Sequence, residues 1–136
     1  MPSKTFGSAV FGIEAITITI EVNISGGLNY FVVGLPDNAV KESMLRIESA
    51  LNNSVFHMPR QRIIVNLAPA DIRKEGSAYD LPIAIGILDA SGQIFSTKLD
   101  KYLILGELSL DGGIQAIKGA LPIAIQGKRD GFKGML

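Results

Sequence analysis

RKEGSAYDLPIAIGIL (Arg73–Leu88) decides the fold. Its second half, Leu81 to Leu88, is apolar on every side, so local period alone does not separate a buried strand from a buried helix. Asp80 ahead of Leu81-Pro82 settles the reading. An Asp cap followed by Pro in the first turn opens a helix, and the all-round apolarity buries it. On one reading the residues before it form a structural turn, with Lys74 and Glu75 exposed, Gly76 turning the chain, Ser77 in the turn and Asp80 capping the helix. The competing reading makes this turn the lip of an active site with Ser77 as nucleophile.

Working outward, RIIVNLA (Arg62–Ala68) reads as a short strand. EAITITIEVNI (Glu14–Ile24) alternates Ile16, Ile18, Ile20, Val22 and Ile24 with Thr17, Thr19, Glu21 and Asn23, a half-buried strand whose clean period of two favours antiparallel pairing. TFGSAVFG before it supplies a partner strand, and Tyr30 to Gly34 a third after the Ser25-Gly26-Gly27 turn. From Pro36-Asp37 the period changes. Val40, Met44, Ile47 and Leu51 make one stripe, with Lys41, Glu42, Arg46 and Glu48 off it, and Asn52-Asn53-Ser54 ends this amphipathic helix.

Tyr102 to Ile117 reads as a hairpin around Asp111-Gly112-Gly113. A further helix starts near Ala120 and carries LPIAI (Leu121–Ile125), identical to Leu81–Ile85. FKGML looks like the opening of another strand. The order β-β-β-α-β-α-β-β-α-β predicts an α+β fold with a mixed, mostly antiparallel sheet and helices packed on one face.

The 136 residues make one domain, nearly half of them apolar, with 13 basic and 13 acidic side chains. Zero net charge argues against a surface wholly given to nucleic acid, although a local basic patch remains compatible with it. Absence of Cys excludes disulfides and thiolate chemistry and fits a cytoplasmic protein. His57 is the only histidine, so no pair exists for a zinc site. No apolar run approaches the roughly 18 residues of a membrane span, and MPSKTFGSAV lacks the apolar stretch of a signal peptide. Asn23 and Asn52 head chance-level sequons.

The P-loop pattern G-x-x-x-x-G-K-[ST] fails at Gly127-Lys128, where Arg129 replaces the magnesium-binding hydroxyl residue and Pro122 the first Gly. Arg60, Arg62, Arg73 and Lys74 flank one strand at both ends and offer contacts to phosphates or an acidic partner.

GLPDNAVKES, RIIVNLAPADIRKEGSAYDLPIAIGIL and LILGELSLDGGIQAIKGALPIAI closely resemble the N-terminal domain of the ComM/YifB family of magnesium-chelatase-like AAA+ ATPases. The resemblance implies a fold like the Lon protease domain and the second domain of small-subunit ribosomal protein number five. It implies that residues 1–136 are an accessory domain cut from a longer chain, with the Walker A module, ATP and Mg belonging to the parent and no cofactor here. Its partners would be its own AAA+ module and neighbouring subunits, with DNA reached through the parent, a ring-shaped branch-migration helicase in natural transformation. Lon proteases use a Ser-Lys dyad. Laid on this chain, the serine position falls on Ala78 and the lysine position on Ile123, so the resemblance implies no catalytic residue. Two alternatives stand beside that reading. One is a peptidase pairing Ser77 with Lys74 or Lys118; the other is a direct DNA-binding module.

Overall fold

Strand β2 (Glu14–Ser25) sets the frame. Ile18, Ile20 and Val22 are fully buried on one face, while Thr17, Thr19 and Glu21 are half-buried on the other, as side chains alternating across a strand require. The computed structural model describes residues 2–11, 14–115 and 120–135. Strand β1 (Ser3–Phe11) runs antiparallel to β2, from Ser3 opposite Val22 to Phe11 opposite Glu14. Strand β4 (Arg62–Ala68) pairs antiparallel on the other side of β2, and the short β3 (Tyr30–Val33) lies parallel to β4. The order β1-β2-β4-β3 is a mixed, mostly antiparallel sheet in an α+β fold, as the sequence predicts.

The helix predicted from Pro36 is broken at Glu42 into α1 (Asn38–Lys41) and α2 (Ser43–Asn52). Its stripe survives the break: Val40, Met44, Ile47 and Leu51 are all buried. The apolar run after Tyr79 is helical, as α3 (Asp80–Ala90). Ile83, Ala84, Ile87 and Leu88 join the α2 stripe and Ile18, Ile20 and Val22 of β2 in the main core.

A second, smaller core lies on the opposite face. Here Ile123 of α4 (Ala120–Arg129) clusters with Ala15, Leu103 and Leu105, and Phe6 packs against them. The Phe6 ring lies 5.4 Å from that of Phe132. Ala15 and Phe6 point away from the Ile18–Ile20 face, and on their side the Thr17 hydroxyl donates to the Asp130 carboxylate. Helices therefore cover both faces, which corrects the expectation of one. The two LPIAI helices look alike in sequence but are threaded differently. Helix α4 leads into β8 (Gly134–Met135), which pairs parallel with β5 (Tyr102–Leu103). That crossover carries α4 over the face α3 leaves open.

The hairpin predicted over Tyr102–Ile117 is shorter, β6 (Glu107–Leu108) against β7 (Ile114–Gln115), closed by the Ser109 N–H on the Gly113 carbonyl at 2.8 Å. Tyr102 and Leu103 belong instead to the β8 pair, and the next residue's N–H, Ile104, donates to Phe6 O at 2.8 Å beside β1. Ile117 lies outside the described residues. Among those described, no helix is long and apolar enough to cross a membrane.

Two glycines test this frame. Gly34 has φ +104°, and a Cβ there would lie 2.1 Å from the Leu67 carbonyl oxygen. Gly76 has φ +86° with open space around it. Gly76→Ala carries only the left-handed backbone penalty, about 1–2 kcal/mol. Gly34→Ala adds a clash with backbone and is expected to cost roughly 3 kcal/mol or more. Urea unfolding midpoints of the two variants check the order.

Candidate functional site

The turns GLPD (Gly34–Asp37) and RKEG (Arg73–Gly76) meet beyond the end of β3. Leu35 sits at φ +56°, a left-handed conformation that L side chains avoid. Lys74 holds it there. Its N–H donates to Leu35 O at 2.9 Å, its carbonyl accepts from Asp37 N–H at 2.9 Å, and Pro36 forms an isolated bridge with it. Its side chain is 0% exposed. The ammonium donates to Gly34 O at 2.7 Å and to Pro69 O. The expectation of an exposed Lys74 reaching toward phosphate is thereby corrected, because both ends of the residue are spent on the neighbouring turn. A charge run in a loop reads as solvated, and nothing in the linear sequence shows that two carbonyls will converge on one ammonium.

Asp37 completes the junction. One carboxylate oxygen caps α1 by accepting from Val40 N–H at 2.8 Å, and the other accepts from Gly76 N–H at 3.1 Å. Gly76 itself turns the chain at φ +86°.

Asp80 is fully buried and does not cap α3. The N-cap is Tyr79, without a side-chain bond. The carboxylate accepts from Ser43 Oγ at 2.6 Å, Arg46 Nε at 2.6 Å, Arg46 Nη2 at 2.9 Å and the Leu108 N–H at 3.0 Å. Arg46 also donates to Ala39 O at 2.8 Å. Its hydrogen bond to Asp80 raises the Arg46 pKa, against the opposing effect of burial. Burial likewise pushes the Tyr79 phenol far above its ordinary value. In the sequence Arg46 lies off the apolar stripe of its helix, and nothing local marks it as a partner of Asp80. The available signal was chemical: a carboxylate ahead of an all-apolar helix needs donors once buried.

Ser77 is half-buried, and its carbonyl accepts from Asp80 N–H at 3.1 Å. Among the described residues no group hydrogen-bonds its hydroxyl, and the Lys74 ammonium is engaged elsewhere. Lys118 lies outside the described residues. Ala78 and Ile123 share the second apolar cluster. Arg60, Arg62 and Arg73 do not converge. Seven residues of β4 separate Arg62 from the turn, roughly 23 Å at strand rise. Arg73 pairs at 3.4 Å with exposed Glu75, while Arg62 lies over the Phe31 ring, 5.2 Å from its centroid.

The motif turns thus form a structural junction, and comparison with known proteins places it. The family model described as subunit ChlI of Mg-chelatase matches residues 20–136. The chain is 47% identical to Escherichia coli YifB over 126 residues, which is 92% of this chain and 25% of YifB. It is 44% identical to the Haemophilus influenzae competence protein ComM over 125 residues, 91% of this chain and 25% of ComM. The chain belongs to the ComM/YifB family. A Mycobacterium tuberculosis protein is 37% identical over 134 residues, 98% of this chain and 27% of that one. The chain spans about a quarter of the length of these relatives.

Two outcomes follow from the junction. Asn caps a helix as well as Asp does, so a capping role would leave Asp80→Asn nearly neutral. A buried ion pair stripped of its charge predicts a loss of about 3–5 kcal/mol, read from urea denaturation. Burial also pushes the Lys74 pKa below the ordinary 10.5, with Asp71 opposing. Between the lowered folded value and 10.5 the unfolded chain binds the extra proton, so the contribution of Lys74 grows as pH rises through that window and is complete above it. The stability of the natural chain relative to Lys74→Met is expected to grow in the same direction, measured by denaturation at a series of pH values.

Proposed function

We propose that residues 1–136 are a non-catalytic, Lon-protease-domain-like accessory domain of a cytoplasmic AAA+ ATPase. The carrying observation is where the dyad positions fall. Ala78 and Ile123, the positions the resemblance aligns with the Lon serine and lysine, lie in one apolar cluster with Ala15, Leu103 and Leu105. A methyl and a branched alkyl group neither attack a carbonyl nor take a proton. The neighbouring candidates support the same reading, since Ser77 has no base among the described residues and Lys74 is locked on carbonyls.

Among the described residues no group of three or more His, Asp or Glu is placed to hold a metal ion. On this reading ATP and magnesium belong to the parent's Walker A module, in keeping with the Mg-chelatase family model. The parent would hydrolyse ATP and act on DNA as a branch-migration motor in transformation, a role in keeping with the name of competence protein ComM. This domain would support ring assembly by packing on its own motor and on neighbouring subunits.

A serine-directed fluorophosphonate probe tests the reading. No labelling of the 136-residue chain above that of Ser77→Ala is expected. Labelling at Ser77 that Lys118→Met abolishes would establish a Ser-Lys peptidase instead.

A further inference from the structure

The four-stranded sheet has two edges, β1 and β3, and they are finished differently. On β1 the Phe6 carbonyl accepts from Ile104 N–H at 2.8 Å, and Lys4 puts an exposed charge on the strand. Cover and charge are common ways of blunting an edge. Strand β3, Tyr-Phe-Val-Val, carries no charge, Pro or Gly. Its parallel register, with Ile63 N–H on Asn29 O at 3.1 Å, spends the backbone of Phe31 and Val33 on β4. Alternate residues of a strand turn their N–H and C=O to opposite sides, so those of Tyr30 and Val32 face outward. Among the described residues nothing pairs with them. The Lys74 junction closes the edge only from Gly34 onward. Tyr30 and Val32 pack against the main core, whereas Phe31 is 42%, Val33 45% and Leu35 52% exposed. A lone exposed apolar residue is ordinary. A row of them along an unpaired edge is a template for another strand.

The two ends of this edge differ in exposed charge. Arg62 is exposed at the start, over the Phe31 ring and beside Gly27. Among the described residues no carboxylate pairs with it. The acid that acts on Tyr30, Glu48, is half-buried on α2. Past the other end, Asp71, Arg73 and Glu75 are exposed, and Arg73 pairs with Glu75. Asp37 and Lys74 are spent on the junction. A cation is thus left unanswered at the start and an acid at the end.

We propose that β3 pairs antiparallel with β3 of a second copy about a twofold axis, joining the two four-stranded sheets into one. Tyr30 of each copy exchanges both backbone bonds with Val32 of the other, which uses every outward group, and Phe31 meets its counterpart on the axis. An axis at Val32 would instead pair Tyr30 with Gly34, whose carbonyl already accepts from Lys74. The antiparallel sense lays the Arg62 end of one edge against the Asp71 and Glu75 end of the other. An extended segment of a different protein would fill the same backbone groups but leaves this charge pattern unexplained. A strand of four residues buries less than the roughly 1,200 Å² of a standard interface, so the pairing is weak and reversible. The proposal rests on the accessory-domain reading and deepens it by naming a surface on which two subunits meet.

Sedimentation equilibrium of the 136-residue chain from about 10 µM to 1 mM tests it, the range of weak association. A monomer–dimer equilibrium is expected. Phe31→Lys sets like charges opposite each other on the axis and is expected to abolish it. Arg62→Glu and Glu75→Arg are each expected to weaken it about fivefold, and in one chain to restore it. The chain has no Cys, so a single introduced thiol reports its own neighbour. In a non-hydrogen-bonded antiparallel pair the Cα atoms stand about 4.5 Å apart, within disulfide reach. Phe31→Cys is therefore expected to give a covalent dimer on diamide oxidation, well ahead of Val33→Cys and of Leu110→Cys on the β6–β7 hairpin. All substituted side chains are exposed, and melting curves confirm the fold of each variant. A chain still monomeric at about 1 mM overturns the proposal. So does a dimer indifferent to Phe31→Lys, or equal cross-linking by the three thiols. None of these outcomes bears on the serine-probe result, so the two readings fail separately.

Discussion

The Asp80 carboxylate is the tie on which the arrangement of the domain depends. Its donors come from α2, through Ser43 and Arg46, and from the backbone of β6, through Leu108, while Asp80 itself opens α3. Apolar packing between α2, α3 and the sheet is non-directional and would tolerate sliding. A buried charge does not tolerate it, because each lost donor leaves the carboxylate uncompensated away from water. The tie therefore fixes how α2 lies against α3 and where the β6–β7 hairpin docks. The hairpin tip then folds onto α2, where Ser49 Oγ and Asn53 Nδ2 both donate to Leu110 O at 3.1 Å.

Lys74 does at the sheet edge what Asp80 does in the core. Strand β3 is one of the two edges of its sheet, and an open edge leaves backbone groups without ladder partners. Just past its end, the Lys74 backbone continues the pairing with Leu35 and Asp37, and the ammonium occupies the Gly34 carbonyl. The same interactions hold Leu35 in its left-handed conformation. A lysine committed in this way is a poor base for a neighbouring hydroxyl. Moving it toward Ser77 would free two carbonyls and release the turn. The most specific sequence stretches of the chain thus read as a lock between two turns.

Local pattern made much of this legible and long-range convergence hid the rest. Strand β4 spans the predicted Arg62–Ala68, and the period-two run of β2 and the stripe through Val40, Met44, Ile47 and Leu51 point inward as read. These elements are specified by their own residues. Asp80 reads as a cap because Asp-Leu-Pro is a local helix-start signal; the partner that overrides it, Arg46, lies 34 residues away. Lys74 reads as exposed because charge usually is, and its acceptors are backbone carbonyls that carry no sequence signature. The face taken by α4 depends on the β5–β8 pairing, which two-residue strands announce weakly.

Net charge is the quantity that folding most changes in meaning. A sum of zero over the chain says little about any one face, since exposed charges are screened beyond about 8 Å at physiological ionic strength. Several carboxylates here are used internally. Asp37 pins a cap and a turn, Asp80 holds Arg46, Asp89 holds Ser3, and Glu21 accepts from Asn66 at 3.1 Å. Arg60 and Lys98 stay in solvent beside the loops that carry Val55 and Phe95. Carboxylates bonded inside the fold no longer offset the exposed cations in the way that a sum over the sequence assumes. Neutrality of the whole therefore says little about how charge is shared among the faces of the fold.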